Sequence, residues 1–415
     1  MAVKVSAAQR QGRLFDRHRL GGPASSTAGP AEPSGLGGSV AGVAESLVAL
    51  HATDPVTVYL SAWARTGCAA GDVDAALYED RGVVRMLGMR RTVFVVPAGL
   101  AGVVQAACTD DVAKRMRRGL VKDLAAGGVG DGDPDGWLRD VEAGVLRALA
   151  GRGGGASGAE LSADEPRLRT QLMYAPDKSY GGIANITSRV LILIAAEGRT
   201  IRGHRKGGWT SGQFQWFLPQ AWLQHDAAPS GDAGAGLGAG LDAGAARIEL
   251  ARRWLLVFGP APVSDLQWWA GWTGAQTKAA LAGLPVTEVD LDGQAGVMLA
   301  DDLDFPAGAP PAAALLPALD PTPMGWQSRS WYLGPHAPAL FDRTGNIGPS
   351  VWWAGRVVGG WAQRSSGEVA YRLLEDIGAD GAVAVATAAG SLETWLGTGR
   401  VTPRFRTPLE RELSG

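Results

Sequence analysis

Apolar residues recur every three to four positions through much of the chain, which is the spacing of an amphipathic helix. This pattern predicts helices in SVAGVAESLVAL (39–50, with Ser39 as N-cap) and TVYLSAWART (57–66). Further segments with the same pattern are DVDAALYED, DDVAKRMRRGLVKDLAA, DPDGWLRDVEAGVLRALAG, ITSRVLILIAAEG and AARIELARRWLLVFG. The chain is therefore predicted to contain many helices, separated by short turns.

Strand patterns follow several of these helices. The β-branched run Thr92–Pro97 predicts a strand, and the helix over 186–198 is followed by two short runs at 200–203 and 214–219. A helix followed by a two-stranded hairpin is typical of the C-terminal end of a winged helix. The same order returns later, where turn–helix–turn–helix over 260–284 precedes two strand-like runs, PVTEVDLDG and GVMLADD.

The last hundred residues are predicted to be rich in strands. Short apolar runs lie in ALLPALD, SVWWAGRVVGGWAQR and VAVATAA, separated by Gly and Pro, which predicts a small antiparallel sheet or barrel. Gly360 beside Trp361 is consistent with a tight bend in such a barrel. By contrast, residues 1–37 and 226–245 are rich in Gly, Ala, Pro and Ser, so a disordered tail and a linker are expected there.

Composition limits the class of protein. The chain has 415 residues, 46% of them hydrophobic, which allows two to four domains of ordinary size. Cys68 and Cys108 are the only cysteines, which excludes a disulfide framework and a zinc site built on several thiolates. The net charge of −2 means that nucleic-acid binding would need a local group of Arg and Lys. We find no secretory signal and no apolar stretch of membrane-spanning length, so a cytoplasmic protein is expected.

Five segments, in order, resemble a known family. They are SLVALHATDPVTVYLSAWAR, VVRMLGMRRTVFVVPA, ARRWLLVFGPAPVSDLQWWAGW, ALLPALDPTPMGWQSR and SVWWAGRVVGGWAQR. Together they resemble the winged-helix DNA glycosylases of the AlkZ type, bacterial enzymes that unhook crosslinks from DNA. The resemblance implies an α+β fold, with tandem winged-helix domains in a C-shaped clamp and a C-terminal small β-barrel.

The domain boundaries expected on this basis place the winged helices between the tail and the barrel. They are 1–37 (disordered tail), 38–155, 156–225 and 246–306 (three winged helices), 226–245 (linker), 307–402 (β-barrel) and 403–415 (tail).

The resemblance also implies where chemistry would occur. The family's motif, Gln-x-Gln or Gln-x-Asp, aligns with His51-Ala52-Thr53, and Asp54 follows. In an extended segment two side chains two residues apart point to the same side, so both could hold one water near an anomeric carbon. His51 could accept a proton, Thr53 could position the water and Asp54 could stabilise an oxocarbenium-like transition state. The alternative is a helix stop, with Thr53 or Asp54 capping a helix that begins at Pro55.

Cations near predicted turns and hairpins are candidates for phosphate contacts. They are Arg85, Arg90, Arg91, Arg199, Arg202, His204, Arg205 and Lys206. A further group of cations over 114–122 lies on one predicted helix and is either a solvated face or a DNA contact. Trp268, Trp269 and Trp272 with Asp265 are expected to form the core of a helix-turn-helix. For Asp320 and Arg329, an ion pair is a more reasonable expectation than a role in chemistry.

Two functions remain open from the sequence. The first is a monofunctional glycosylase that hydrolyses the N-glycosidic bond of bulky or crosslinked N7-alkylpurine nucleotides, in DNA repair or in self-resistance to a genotoxin. It would act as a monomer on double-stranded DNA carrying alkylated or crosslinked purines, associated with the nucleoid when bound, without a cofactor, a metal or a membrane. The second is a non-catalytic winged-helix DNA-binding protein, either a regulator or a factor that shields lesions.

Overall fold

The computed structural model describes residues 3–22, 38–174, 181–223 and 237–415. The α-helices in these ranges are α1 (Ala7–Arg17), α2 (Val40–Ser46), α3 (Pro55–Thr66), α4 (Ala70–Asp74), α5 (Ala101–Val104), α6 (Asp110–Ala126), α7 (Pro134–Arg152), α8 (Gly158–Asp164), α9 (Thr187–Ala196), α10 (Pro219–Trp222), α11 (Ala243–Phe258), α12 (Val263–Ala270), α13 (Gly274–Ala282), α14 (Pro321–Met324), α15 (Ser330–Leu333), α16 (Ala337–Leu340), α17 (Gly378–Leu396) and α18 (Pro408–Leu413). The strands are β1 (Val3–Lys4), β2 (Leu50–His51), β3 (Val83–Leu87), β4 (Val93–Pro97), β5 (Gln171–Tyr174), β6 (Gly182–Asn185), β7 (Ile201–Arg205), β8 (Phe214–Phe217), β9 (Val286–Leu291), β10 (Gln294–Leu299), β11 (Ala313–Leu316), β12 (Ser350–Trp353), β13 (Arg356–Gln363) and β14 (Val369–Leu373).

The chain forms two compact units. The first contains residues 1–83, 94–97 and 247–415, and the second contains 84–93 and 98–246. Most of the helices and hairpins predicted from apolar spacing are confirmed in both units, including β4, β7–β8 and β9–β10. The helix predicted over 39–50 is shorter, because α2 ends at Ser46 and Leu50 pairs in β2. Ser39 caps α2 as predicted, with its hydroxyl accepting the Gly42 N–H at 3.0 Å.

The C-terminal strands of the first unit form an open sheet, which corrects the predicted closed barrel. The order is β11–β12–β13–β14, all antiparallel, and no pairing joins β11 to β14 within the described residues. Residues 383–389 were predicted as a strand because Val alternates with smaller residues, but they lie in α17. Alanine has the highest helix propensity, and five Ala fall in and beside this run. Gly360 is not at a bend: it lies within β13, where a Cβ would meet Leu409 and Leu340 at 2.8 and 2.9 Å.

The predicted disordered tail is wrong over residues 3–22, while residues 23–37 lie outside the described ranges. β1 pairs parallel with β9, and Ser6 and Gln9 form a capping box at the start of α1. Arg13 and Arg17 both form ion pairs with Asp302, so charged residues of α1 are bound to a distant part of the chain. Composition alone cannot reveal such contacts.

The predicted C-terminal tail and the predicted linker both contain helical residues. The tail over 403–415 contains α18, whose Leu409 and Leu413 are buried. Of the linker over 226–245, residues 226–236 lie outside the described ranges, and α11 already begins at Ala243.

Three helices and a hairpin follow one another in the first unit. Helices α11, α12 and α13 lead into β9 and β10, whose antiparallel hairpin turns at Asp292 and Gly293. Both turn residues have positive φ, 53° and 91°, as a tight two-residue hairpin turn requires. Trp269 and Trp272 are buried here, and the Asp265 carboxylate accepts the N–H groups of Gln327 and Ser328, which agrees with the predicted core role. Trp268 is only half-buried, with the Arg329 guanidinium over its ring.

The second unit is built around α6, α7 and α9. Its apolar core contains Leu120, Leu124, Val141 and Val190. Beside this core, Glu142 is fully buried and forms ion pairs with Arg117 and Arg199. Two hairpins, β5–β6 and β7–β8, complete the unit.

Candidate active site and nucleic-acid interface

The candidate catalytic segment lies at a strand-to-helix junction of the first unit. β2 pairs antiparallel with β4, which places His51 opposite Phe94, and α3 begins at Pro55. The His51 and Phe94 rings meet edge to face at 5.4 Å between centroids. His51 is only 6% exposed, and Thr53 is half-buried. The sequence therefore positions the two side chains at the end of a paired strand, on either side of Ala52.

Asp54 acts as the N-cap that the alternative interpretation predicted. One carboxylate oxygen accepts the Val56 N–H at 3.2 Å, and the other accepts the Arg404 N–H at 2.9 Å. The Arg404 guanidinium also donates to the Thr53 carbonyl at 3.3 Å. Asp54 therefore fixes the start of α3 and attaches this junction to the C-terminal segment.

A small cleft, with room for about one water molecule, opens beside this junction. Its lining comes from Asp54, Val56, Thr57 and Leu60 and from residues far along the chain: Pro317, Ala318, Pro349, Trp361, Ala362, Gln363, Val401 and Pro403. The wall is mainly apolar, with Asp54 as a charged member. Sequence reasoning missed the distal lining residues, because no local motif marks them.

The C-terminal half of α3 belongs to a buried polar network. Arg65 and Asp320 form an ion pair at 2.8 Å with both side chains fully buried, and the Ser61 hydroxyl donates to the same carboxylate. The partner of Asp320 is therefore Arg65 rather than Arg329, whose guanidinium lies over the rings of Trp268 and Phe341. Burial opposes ionisation of Asp320, but Arg65, Ser61 and the Thr322 amide outweigh it and lower the pKa of this carboxyl below its usual value.

The predicted DNA-contact cations differ in their surroundings. Arg85 is buried, with its guanidinium 4.5 Å from the centroid of the Phe214 ring. Arg202 lies over Trp216 at 5.1 Å, and burial, together with the charge of Arg85, lowers the pKa of Arg202 to about 10. Both guanidinium groups therefore serve contacts within the second unit.

The other predicted cations fall into two groups. Arg199 is bound to Glu142 and Glu197 at 2.9 and 3.2 Å, and His204 packs edge to face against Trp222. At the tip of the β7–β8 hairpin, Lys206 is exposed, with Glu160 at 3.7 Å. Arg205, beside it, is half-buried.

Arg90 and Arg91 occupy the tight turn Met89–Arg91 that follows β3. Both have positive φ, 52° and 61°, a left-handed conformation that is uncommon outside glycine. Arg91 is exposed and Arg90 is half-buried, so the turn presents at least one guanidinium to solvent. Such strain is found where the surrounding structure holds a functional loop in place.

Comparison with known proteins identifies the family. The model of the AlkZ-like DNA glycosylase family matches residues 44–395, so the chain belongs to this family. Among solved structures, the chain is similar to the DNA glycosylase AlkZ of Streptomyces sahachiroi, with a TM-score of 0.67 and 19% identity over 97% of this chain and 100% of that one. At this identity the likeness shows a shared fold. None of the curated proteins compared with the chain is significantly similar to it.

No helix within residues 3–22, 38–174, 181–223 and 237–415 combines the length and the apolar content that a bilayer crossing requires.

Proposed function

We propose that this protein is a monofunctional DNA glycosylase that hydrolyses the N-glycosidic bond of bulky or crosslinked N7-alkylpurine nucleotides in duplex DNA. The observation that supports this most strongly is the family match over 44–395, which includes the junction from His51 to Asp54. The small cleft beside the junction, lined in part by Asp54, gives room for a water molecule next to the candidate segment.

The chemistry asked of the protein is modest. An N7-alkylated purine is already cationic, so it can leave without a general acid, and the protein must hold a water and stabilise the sugar cation. We assign these tasks to His51, as the group that accepts a proton or a hydrogen bond from water, and to Thr53, as the residue that positions the water. No cofactor or metal is needed for this step.

Asp54 has a more indirect part in the proposal. Both carboxylate oxygens already accept backbone N–H groups, so the carboxylate is held away from proton transfer. Its negative charge still lies at the cleft wall, where it could favour a developing cation. We therefore propose Asp54 as a positioning residue that also contributes charge.

For DNA binding we propose two winged helices, together with cations at the β7–β8 hairpin and at the turn between β3 and β4. The order α11–α13 followed by β9–β10 supports one winged helix, and α9 followed by β7–β8 supports another. Arg91, Arg205 and Lys206 are the proposed phosphate contacts. Arg85, Arg199 and Arg202 are left out because their guanidinium groups are already bound within the second unit.

The test is base release from defined duplexes. The full chain is incubated with DNA containing N7-methylguanine or a bulky N7 adduct, and abasic sites are scored by alkaline cleavage. We expect release by the wild type and by His336→Ala, but none by His51→Ala. DNA affinity should stay within about threefold in both variants, since neither removes a phosphate contact.

The outcomes separate the two functions. If the wild type binds these duplexes but releases no base from either lesion, the protein is a DNA-binding protein without glycosylase chemistry. If His51→Ala still releases the base but binds DNA more weakly, His51 has a structural role and not a catalytic one.

A further inference from the structure

Helix α6 in the second unit has a face made of cations and one glycine. Arg115, Arg118, Gly119 and Lys122 lie at positions i, i+3, i+4 and i+7, so they share one side of the helix. All four are exposed. At 1.5 Å per residue this face, the α6 cationic face, extends about 10.5 Å along the helix axis.

The acidic residues of α6 interact with groups outside this face. Asp110 accepts the Gln105 side-chain amide at 2.6 Å, Asp111 lies 3.8 Å from Lys114, and Asp123 pairs with Arg189. Arg117, on another side of α6, forms ion pairs with Asp135, Glu142 and Glu197. Among the described residues, no carboxylate forms an ion pair with Arg115, Arg118 or Lys122, so three positive charges on this face remain without a counterion.

Gly119 gives a second, independent observation. A glycine within a helix lowers its stability relative to alanine, so its presence there needs a reason. A Cβ at Gly119 would meet no described atom within 4 Å, so packing inside the protein does not require glycine. The missing side chain leaves the helix backbone open to close approach from outside, at a point that lies between the cations.

We propose that the α6 cationic face binds the sugar–phosphate backbone of the DNA. Phosphates of one strand lie about 3.4 Å apart along the axis of the duplex, so a face of this length spans roughly three of them. Arg115, Arg118 and Lys122 neutralise phosphates, while Gly119 leaves room for the backbone to approach. This inference rests on the proposed function, because that function supplies the duplex.

The experiment measures affinity for an undamaged duplex as a function of salt, with the full chain. The variant replaces Arg115, Arg118 and Lys122 together by Gln, and the control replaces Arg147, Arg343 and Arg411, three exposed arginines elsewhere, by Gln, with the same change in net charge. We expect the first variant to bind about tenfold or more weakly near 0.1 M salt. Its salt slope should fall by about 0.9 for each phosphate that is no longer neutralised, while the control keeps the wild-type slope.

Single glycine variants test the second observation. Gly119→Gln should weaken DNA binding several-fold without a decrease in helix content, whereas Gly390→Gln, at an exposed and open position within α17, should leave binding unchanged. Equal binding by both glycine variants, or an equal decrease in affinity in the two triple variants, would overturn the proposal.

The remaining outcomes are also decisive. If the α6 triple variant loses affinity for polyglutamate but not for DNA, the face binds an acidic protein and the proposal is wrong. If wild-type protein binds DNA through this face but releases no base, the α6 proposal stands and the proposed glycosylase activity fails.

Discussion

Arg65 and Asp320 show how much can depend on one pair of residues. Both side chains are fully buried, and the guanidinium also donates to the Ser61 and His18 carbonyls and to the Thr322 hydroxyl. Two charges out of water are tolerated only when their hydrogen bonds are satisfied, as they are here. Ser61 and Arg65 belong to α3, the helix that begins directly after the candidate catalytic segment.

Removal of one partner should therefore destabilise the protein strongly. We expect Asp320→Ala to lower the free energy of unfolding by about 3–5 kcal/mol, because it leaves the Arg65 charge buried without a counterion. Denaturant unfolding measures this directly. The double variant Arg65→Met/Asp320→Leu should recover part of this stability, and a double variant as unstable as the sum of the single ones would contradict this account.

His18 predicts a specific dependence on pH. Its Nε2 lies 3.1 Å from the Val257 carbonyl, which can only accept, so Nε2 donates and Nδ1 accepts the Thr322 hydroxyl. Burial, reinforced by the charge of Arg65, lowers the pKa of His18 to about 3. The unfolded chain then binds a proton near pH 6.5 that the folded protein does not, so stability falls as the pH decreases from about 6.5 towards 3.

The His18 contribution can be isolated by substitution. Each pH unit in that window should cost up to about 1.4 kcal/mol through this residue, and His18→Gln should remove that part of the slope. Urea unfolding of both proteins between pH 7 and pH 4.5 tests the expectation. Parallel stability curves would mean that His18 is protonated in the folded protein.

At the scale of elements, local patterns predicted most helices and hairpins but not those fixed by distant contacts. The N-terminal segment was predicted as disordered from its composition, yet α1 is bound to Asp302 through Arg13 and Arg17. Residues 383–389 alternate as a strand would, but alanine propensity and packing against β11 and β14 place them in α17. Without a strand there, the predicted barrel stays an open sheet.

One substitution at two helical glycines should have opposite effects. Gly12 lies in α1, where a Cβ would come within 2.8–2.9 Å of the backbone of Gly308, while Gly390 in α17 faces open space. Gly390→Ala should therefore raise the free energy of unfolding by about 0.5–1 kcal/mol from helix propensity. Gly12→Ala should lower it, because backbone atoms cannot move aside cheaply. Thermal unfolding compares the two, and stabilisation by both variants would show that α1 packs loosely.

At the scale of the whole molecule, the sequence located part of the candidate site. His51 and Asp54 are proposed from one short segment that resembles the family's motif, and the capping role of Asp54, predicted from Pro55, is confirmed. The wall of the cleft could not be predicted, since Trp361 and Pro403 reach it only after three hundred residues of intervening chain. Likewise, sequence could not separate cations that hold the fold from cations that face solvent.

A net charge of −2 allows DNA binding only through local cations. Substitutions should therefore distinguish the cations bound within the protein from those that face solvent. Burial raises the pKa of the Glu142 carboxyl despite its arginine neighbours. Arg199→Gln removes one of these neighbours, so we expect lower stability with little change in the salt slope of DNA binding. Arg91→Gln and Lys206→Gln should do the reverse, each reducing the slope by about 0.9 while unfolding as the wild type does. If Arg199→Gln reduced the salt slope and the other two variants did not, the phosphates would contact Arg199 rather than Arg91 and Lys206.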